Sequence, residues 1–308
     1  MADMQIDQKN LSKLFSDMQK RTFVIPEYQR PYNWDEDKCQ ILWDDLKDNF
    51  FANPGVDYFL GTIVTCKNGV NLEVIDGQQR LTTFSLLLRA FYTKLESMPE
   101  SDEVSGLKRQ IEPCLWDTDD ISQKVTDKSK IRVVSEVATE QDKTSFRFIM
   151  ETGYVGNRNN RYASNYIFFQ EQCDKFAKDA PMEWYKFCNY ILRRCVLLPI
   201  ECQNQEVALT IFSTLNNRGL PLYDADIFKS ELYKASNDKE LFIKQWNELS
   251  ELCESTKDKN GNYEFTIDDM FMYYMQVLRG RAEDKIQQIL DYEVFILMIR
   301  KKDCWNQI

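Results

Sequence analysis

Glu73-Val74-Ile75-Asp76-Gly77-Gln78-Gln79-Arg80-Leu81-Thr82-Thr83-Phe84 joins a short apolar run, Leu72 to Ile75, to an amphipathic one carrying Leu81, Phe84, Leu87, Leu88 and Phe91. The stretch reads as strand, tight turn, helix. Its turn holds an acid, a glycine, two amides and an arginine, which add little to a core. At a helix N-terminus the unpaired backbone N–H groups and the positive end of the dipole point outward, so such a cluster suits a phosphate. The competing reading makes Asp76 the helix cap and leaves the other polar groups to solvent.

Just upstream, Tyr58 to Thr65 and Val70 to Ile75 flank Lys67-Asn68-Gly69. Asn-Gly suits the positive φ angles of a hairpin turn, so a hairpin delivers the chain to Asp76. Further back, Thr22 to Ile25 reads as a strand closed by Pro26, and Asp35 as the N-cap of a helix from Glu36 to Phe51. Between them, Ile25-Pro26-Glu27-Tyr28-Gln29-Arg30-Pro31-Tyr32-Asn33-Trp34 cannot be a regular element, because two prolines bar it. A loop this rich in large side chains is either pinned to the core or built to contact a ligand. The first residues, Ile6 to Ser16, have weakly helical spacing.

Downstream, the helix that starts at the turn runs to about Leu95, and residues 103–194 are mainly helical. Within them, Lys130 to Val134 reads as an isolated strand or an extended connection. Cys195 to Ile200 reads as a buried strand that Pro199 either ends or confines to a sheet edge. Helices follow from Glu206 to Leu215 and from Asp224 to about Lys234, around Asn216-Asn217-Arg218-Gly219-Leu220-Pro221-Leu222. Gly219 and Asp224 are explained by a helix-turn-helix corner, whereas Asn216 and Arg218 are not. Beyond Asn237 the pattern is again helical, and the last residues carry no closing signal, as expected of a chain cut inside a larger protein.

Composition narrows the chemistry. The sequence contains no histidine, which removes His-dependent triads, His metal sites and HNH-type nuclease centres. Proton transfer would rest on carboxylates, Lys, Tyr, Cys or water. A net charge of −10 argues against a surface that binds nucleic acid everywhere and leaves DNA only a local basic cleft. Nine cysteines without a Cys-x-x-Cys pair indicate neither a disulfide framework nor a zinc knuckle. With no apolar run of membrane-spanning length and no signal-peptide pattern, the expected location is cytoplasmic.

Three segments taken together, Ile25-Pro26-x-Tyr28-Gln29-Arg30-x-Tyr32-x-Trp34, Val74 to Thr83, and Phe212-x-x-Leu215-Asn216-x-Arg218-Gly219-x-x-Leu222, resemble the N-terminal domain of GmrSD-type modification-dependent restriction enzymes. The resemblance covers roughly Phe15 to Lys234. It implies an α+β fold: a small mixed β-sheet core like that of ParB and sulfiredoxin, at about 15–95 and 195–235. A large helical insertion at about 103–194 would complete a domain of residues 1–235, with a C-terminal helical unit at 236–308. In that family Asp-Gly-Gln-Gln-Arg is the nucleotide-handling motif, used to bind and hydrolyse nucleoside triphosphates in defence against phage DNA.

Carried onto this sequence, the resemblance implies Asp76, Gln79 and Arg80 as catalytic residues. Tyr28, Gln29, Arg30, Gly77, Gln78, Asn216, Arg218 and Gly219 would bind the nucleotide, and Asp76 would hold a Mg²⁺ that accompanies it. It also implies a nuclease module or subunit as partner, since many relatives carry an HNH module that this histidine-free chain cannot contain, and it admits an oligomer. A nucleotide-switched DNA-recognition or assembly module without turnover is the alternative function. Peroxide chemistry of the sulfiredoxin kind is disfavoured, because no cysteine lies at the turn.

Overall fold

Gly69, at φ +60°, turns the chain between β4 (Tyr58–Asn68) and β5 (Asn71–Asp76), which pair antiparallel as the Asn-Gly signal requires. A mixed sheet assembles around this hairpin. On one side β3 (Phe23–Ile25) runs parallel to β5, and β8 (Val133–Ser135) parallel to β3. On the other, β9 (Cys195–Cys202) runs parallel to β4 and takes β1 (Gln5–Ile6) and β2 (Lys9–Asn10) antiparallel on its far side. The order is β1-β9-β4-β5-β3-β8, with β2 also on β9. A separate hairpin joins β6 (Trp116–Thr118) to β7 (Val125–Ile131). The architecture is the α+β class, with a mixed sheet, expected from the sequence.

The computed structural model describes residues 5–17, 21–119, 121–122, 124–156, 159–216, 229, 232–233, 236–255, 267 and 269–270. They fall into two compact units, Met1–Thr214 and Leu215–Ile308, dividing ahead of the 235/236 boundary read from the sequence.

In the first unit, strand alternation gives the sheet two apolar faces. Leu72 and Val74 of β5, with Phe23, Ile63 and Leu197, face the main core. That core is covered by α1 (Leu11–Ser16), α2 (Glu36–Ala52), α3 (Gln78–Glu96), α4 (Asp102–Leu115), α5 (Glu140–Thr152), α6 (Arg161–Asp179) and α7 (Trp184–Arg194). Ile75, Val64, Cys66, Ile200 and Cys202 face the other way, against Ala208 and Leu209 of α8 (Gln205–Asn216). Asp35 caps α2 as its residue type suggests, accepting from the Lys38 N–H at 3.1 Å.

The span from 103 to 194 shares this core rather than standing apart from it. It supplies β8 to the sheet and Val104, Ile111, Trp116, Phe169 and Trp184 to the packing around α3. Helix α3 needs that cover because its apolar residues lie on several sides: Leu86, Leu87, Leu88 and Phe91 are all fully buried. So is Arg89, whose Nε donates to the Met150 carbonyl at 3.0 Å and whose Nη1 donates to Thr93 Oγ1 at 2.7 Å and pairs with Glu96 at 3.5 Å. Gly153, at φ +76°, ends α5 against this guanidinium, where a Cβ would lie 2.4 Å from Arg89 Nη2.

Three local expectations need correction. Lys130 to Val134 is neither an isolated strand nor a connection; it divides at Arg132 between β7 and β8. Ile6 to Ser16 begins as two short strands, and only Leu11 onward is helical. Pro199 neither ends β9 nor sits at an edge, since β9 has partners on both sides. Its missing N–H is accommodated because β1 pairs with Ile200 and Glu201, and β2 with Val196 and Leu197, leaving the break between them at the proline.

In the second unit, α9 (Lys239–Ser255) buries Phe242, Trp246 and Cys253, and the Lys229 ammonium sits 5.7 Å from the Trp246 ring centre. Each described cysteine of the two units is buried, as a small hydrophobe would be. Among the described residues, no helix is long and apolar enough to cross a membrane.

Candidate functional site

Because β3 and β5 run parallel, the loop after Ile25 and the turn after Asp76 leave the sheet at the same end. Ligand sites of open sheets gather at such carboxyl ends. The loop and the turn are bonded to each other at several points. Gln29 Nε2 donates to the Ile75 carbonyl at 3.1 Å, and Gln78 Nε2 donates to Gln29 Oε1 at 3.1 Å. Gln79 uses both ends of its amide: Oε1 accepts from the Asn33 N–H at 2.9 Å and Nε2 donates to the Pro31 carbonyl at 3.0 Å. Tyr32 completes the attachment, its hydroxyl 2.9 Å from Thr83 Oγ1 and accepting from buried Asn165 of α6 at 2.8 Å. The loop is therefore pinned to α3 along its length, and the same pins fix where Arg30 emerges.

Asp76 is the last residue of β5 and not the helix cap. Gly77 occupies the N-cap position at φ +93°, with no side-chain cap bond. Glycine is required there, because a Cβ would lie 2.3 Å from Ile63 Cδ1. The first turn of α3 thus keeps N–H groups that no capping side chain has taken. Arg80 folds back from that turn: Nη1 donates to the Leu60 carbonyl at 3.1 Å, and Nη2 stands 3.4 Å from Asp76 Oδ2. Both side chains are about three-quarters buried.

The electrostatics centre on Asp76. Burial raises its carboxyl pKa, against the opposing pull of Arg80, the Gly77 N–H and, farther out, Arg30. An acid whose charged form is disfavoured despite two guanidinium groups gains by meeting a further cation. Among the described residues no three His, Cys, Asp or Glu groups come together as a metal cage. A single carboxylate supplies one position on a Mg²⁺, so any such ion would draw its other positions from phosphate oxygens and water.

Tyr28 turns to the α8 face of the sheet. Its hydroxyl donates to Glu73 and accepts from Gln205, which also reaches Glu73 Oε1 at 3.0 Å. Burial, with Glu73 nearby, raises its pKa, so it stays a phenol and a donor. Of the expected site residues, Gln29, Arg30, Asp76, Gly77, Gln78, Gln79 and Arg80 are thus brought to one end of the sheet, while the Tyr28 hydroxyl serves the link to α8. Asn216 is the last residue of α8, and its side chain, with all of Arg218 and Gly219, lies outside the described residues.

Three contributors escaped the sequence reading. Glu73 and Gln205 tie the loop to α8, and nothing in their spacing marks a pair so distant in the chain. Gly61 lies beneath the Arg80 guanidinium, and a glycine inside an apolar strand was a signal for such close approach.

The family model that matches the chain is the GmrSD restriction endonuclease, N-terminal domain, over residues 11–233. No curated protein matches it.

Proposed function

The chain belongs to the family of GmrSD restriction endonuclease N-terminal domains, and from that premise we propose that the Asp76 to Arg80 turn binds a nucleoside triphosphate with Mg²⁺ and hydrolyses it. The activity would serve as the regulatory step of a DNA-targeting phage-defence system in the cytoplasm. The observation that carries this reading is the pairing of Asp76 with Arg80 at the start of α3, beside a turn of backbone N–H groups without a side-chain cap.

In this reading Arg80 gives phosphate oxygens planar, charge-assisted hydrogen bonds, and Arg30 adds positive potential from the loop. Asp76 takes one position on the metal ion, whose chemical contribution when bound is to neutralise charge on the phosphates. Gln78 and Gln29 hold the loop against the turn, while the family resemblance assigns nucleotide binding also to Asn216, Arg218 and Gly219. DNA cleavage falls to a partner nuclease module or subunit, because this sequence has no histidine for an HNH centre. An acidic chain leaves DNA contact to a local basic cleft, and assembly into an oligomer is compatible with this role.

A second reading has its own support. Gln79 spends both amide ends on the loop backbone, so the residue best placed to orient a water is engaged, which favours a nucleotide-switched recognition or assembly module without turnover. Purified protein with Mg²⁺ and each of ATP, GTP, CTP and UTP separates the two. Thermal stabilisation with phosphate release supports hydrolysis, stabilisation without release supports the switch, and neither response refutes both.

A further inference from the structure

Resting on the nucleotide reading, we infer that Gly61 is a positioning residue for the Arg80 guanidinium, and that β4 is bulged at this point to make that placement. The strand pairs regularly with β9 at Tyr58 and Phe59, shifts register, and resumes at Thr62. Gly61 lies within the shift at φ +107°, a backbone conformation that other residues rarely adopt. Its carbonyl neighbour, Leu60, accepts from Arg80 Nη1 at 3.1 Å. A Cβ at position 61 would stand 2.1 Å from that same Nη1 and 3.3 Å from Arg80 Cζ.

The bulge and the missing side chain therefore act together. The bulge turns a strand carbonyl toward α3, and glycine lets the guanidinium lie flat over the backbone to reach it. Anchored by Nη1, the fork keeps Nη2 beside Asp76 and retains further N–H donors for an anion. A side chain at 61 would push the guanidinium off Leu60 and away from the carboxylate it is paired with. The positive φ would strain any side chain at 61 whether or not Arg80 is present, whereas the clash is with Arg80, so removing Arg80 separates the two costs.

The test is a double-mutant cycle on the full 308-residue chain with Gly61→Ala and Arg80→Ala. Two readouts are taken, thermal midpoint without ligand and titration calorimetry with ATP, GTP, CTP and UTP in Mg²⁺. Gly61→Ala should weaken triphosphate binding by about tenfold or more, the scale of a lost hydrogen bond to a charged group. In the Arg80→Ala background the same change should weaken binding no further and lower the midpoint less. If Gly61→Ala alone yields no soluble protein, recovery of folded protein in the double variant carries the same support, and failure of both overturns the inference. Equal losses of midpoint in the two backgrounds also overturn it, even where nucleotide binds. A wild-type protein silent toward all the triphosphates instead overturns the nucleotide reading and the phosphate role of Arg80 with it.

Discussion

The side-chain amide of Gln29 donates to the backbone carbonyl of Ile75, so the loop after one parallel strand is bonded to its neighbour one residue before that strand ends in Asp76. Residues far apart in sequence are thereby held at fixed separation, and Arg30 adds its charge to the field at Asp76. The arrangement has consequences that can be measured residue by residue.

Arg80→Ala should weaken triphosphate binding by about 1.5–3 kcal/mol, the cost of a hydrogen bond to a charged group, while leaving the fold intact. No apolar core is removed, and the contact with Asp76 that is lost is a long one at 3.4 Å. Calorimetric titration beside circular dichroism checks both halves. Unchanged titration curves would remove Arg80 from the phosphate site.

Asp76→Asn should stabilise the empty protein and at the same time abolish Mg²⁺-dependent nucleotide binding. The carboxyl pKa in the fold is raised above its ordinary 3.8 by burial, so the folded state holds the proton more tightly than the unfolded state does. Its favourable contribution is present at acid pH and is lost as pH rises through the raised value. The gain from Asn should therefore appear above that window, at neutral pH, and vanish in acid, where Asp76 is protonated in both states. Thermal midpoints of the two proteins across a pH series decide it. A midpoint for the variant below wild type at neutral pH contradicts the stated balance between burial and the guanidinium groups.

Gln79 offers a test of pinning against catalysis. Gln79→Ala removes both bonds to the loop and should raise amide hydrogen exchange at Asn33, whereas Gln79→Glu keeps an acceptor for that N–H and should not. Loss of phosphate release in the Glu variant, with Asn33 still protected and nucleotide still bound, would show that the residue acts on the reaction and not only on the loop.

Arg89→Met should cost about 3 kcal/mol in urea unfolding although it lies far from the turn. The guanidinium is fully buried and bridges α3 to the Met150 carbonyl near the end of α5, so the change removes hydrogen bonds from a charged donor, although that carbonyl keeps the Trp116 indole N–H. A cost below about 1 kcal/mol would mean that apolar filling compensates for the polar bridge.

What could be read in the sequence was what local chemistry dictates. The Asn68-Gly69 hairpin, the Asp35 cap and the start of α3 after Gly77 each depend on a few neighbouring residues. The resemblance supplied the family. What stayed hidden depends on partners distant in the chain. β8 is three residues whose role comes only from lying beside β3. The exemption of Pro199 from ending its strand requires a gap between β1 and β2, which nothing near the proline announces. Arg89 looks in sequence like any charge on a helix and is committed to the interior by Trp116, Met150 and Gly153. Asp76 illustrates the reverse: a residue type that suits a cap ends the strand instead, because the left-handed turn at Gly77 takes the capping position.

The lengths of the outermost strands bear on how this molecule meets others. β8 offers three residues of outer backbone, while β1 and β2 offer two each on either side of the proline gap. Among the described residues, a foreign strand laid along either margin would find few consecutive N–H and C=O groups to hold it, which blunts growth by sheet extension. Another chain that recognises this unit therefore has side-chain surfaces to use before strand backbone.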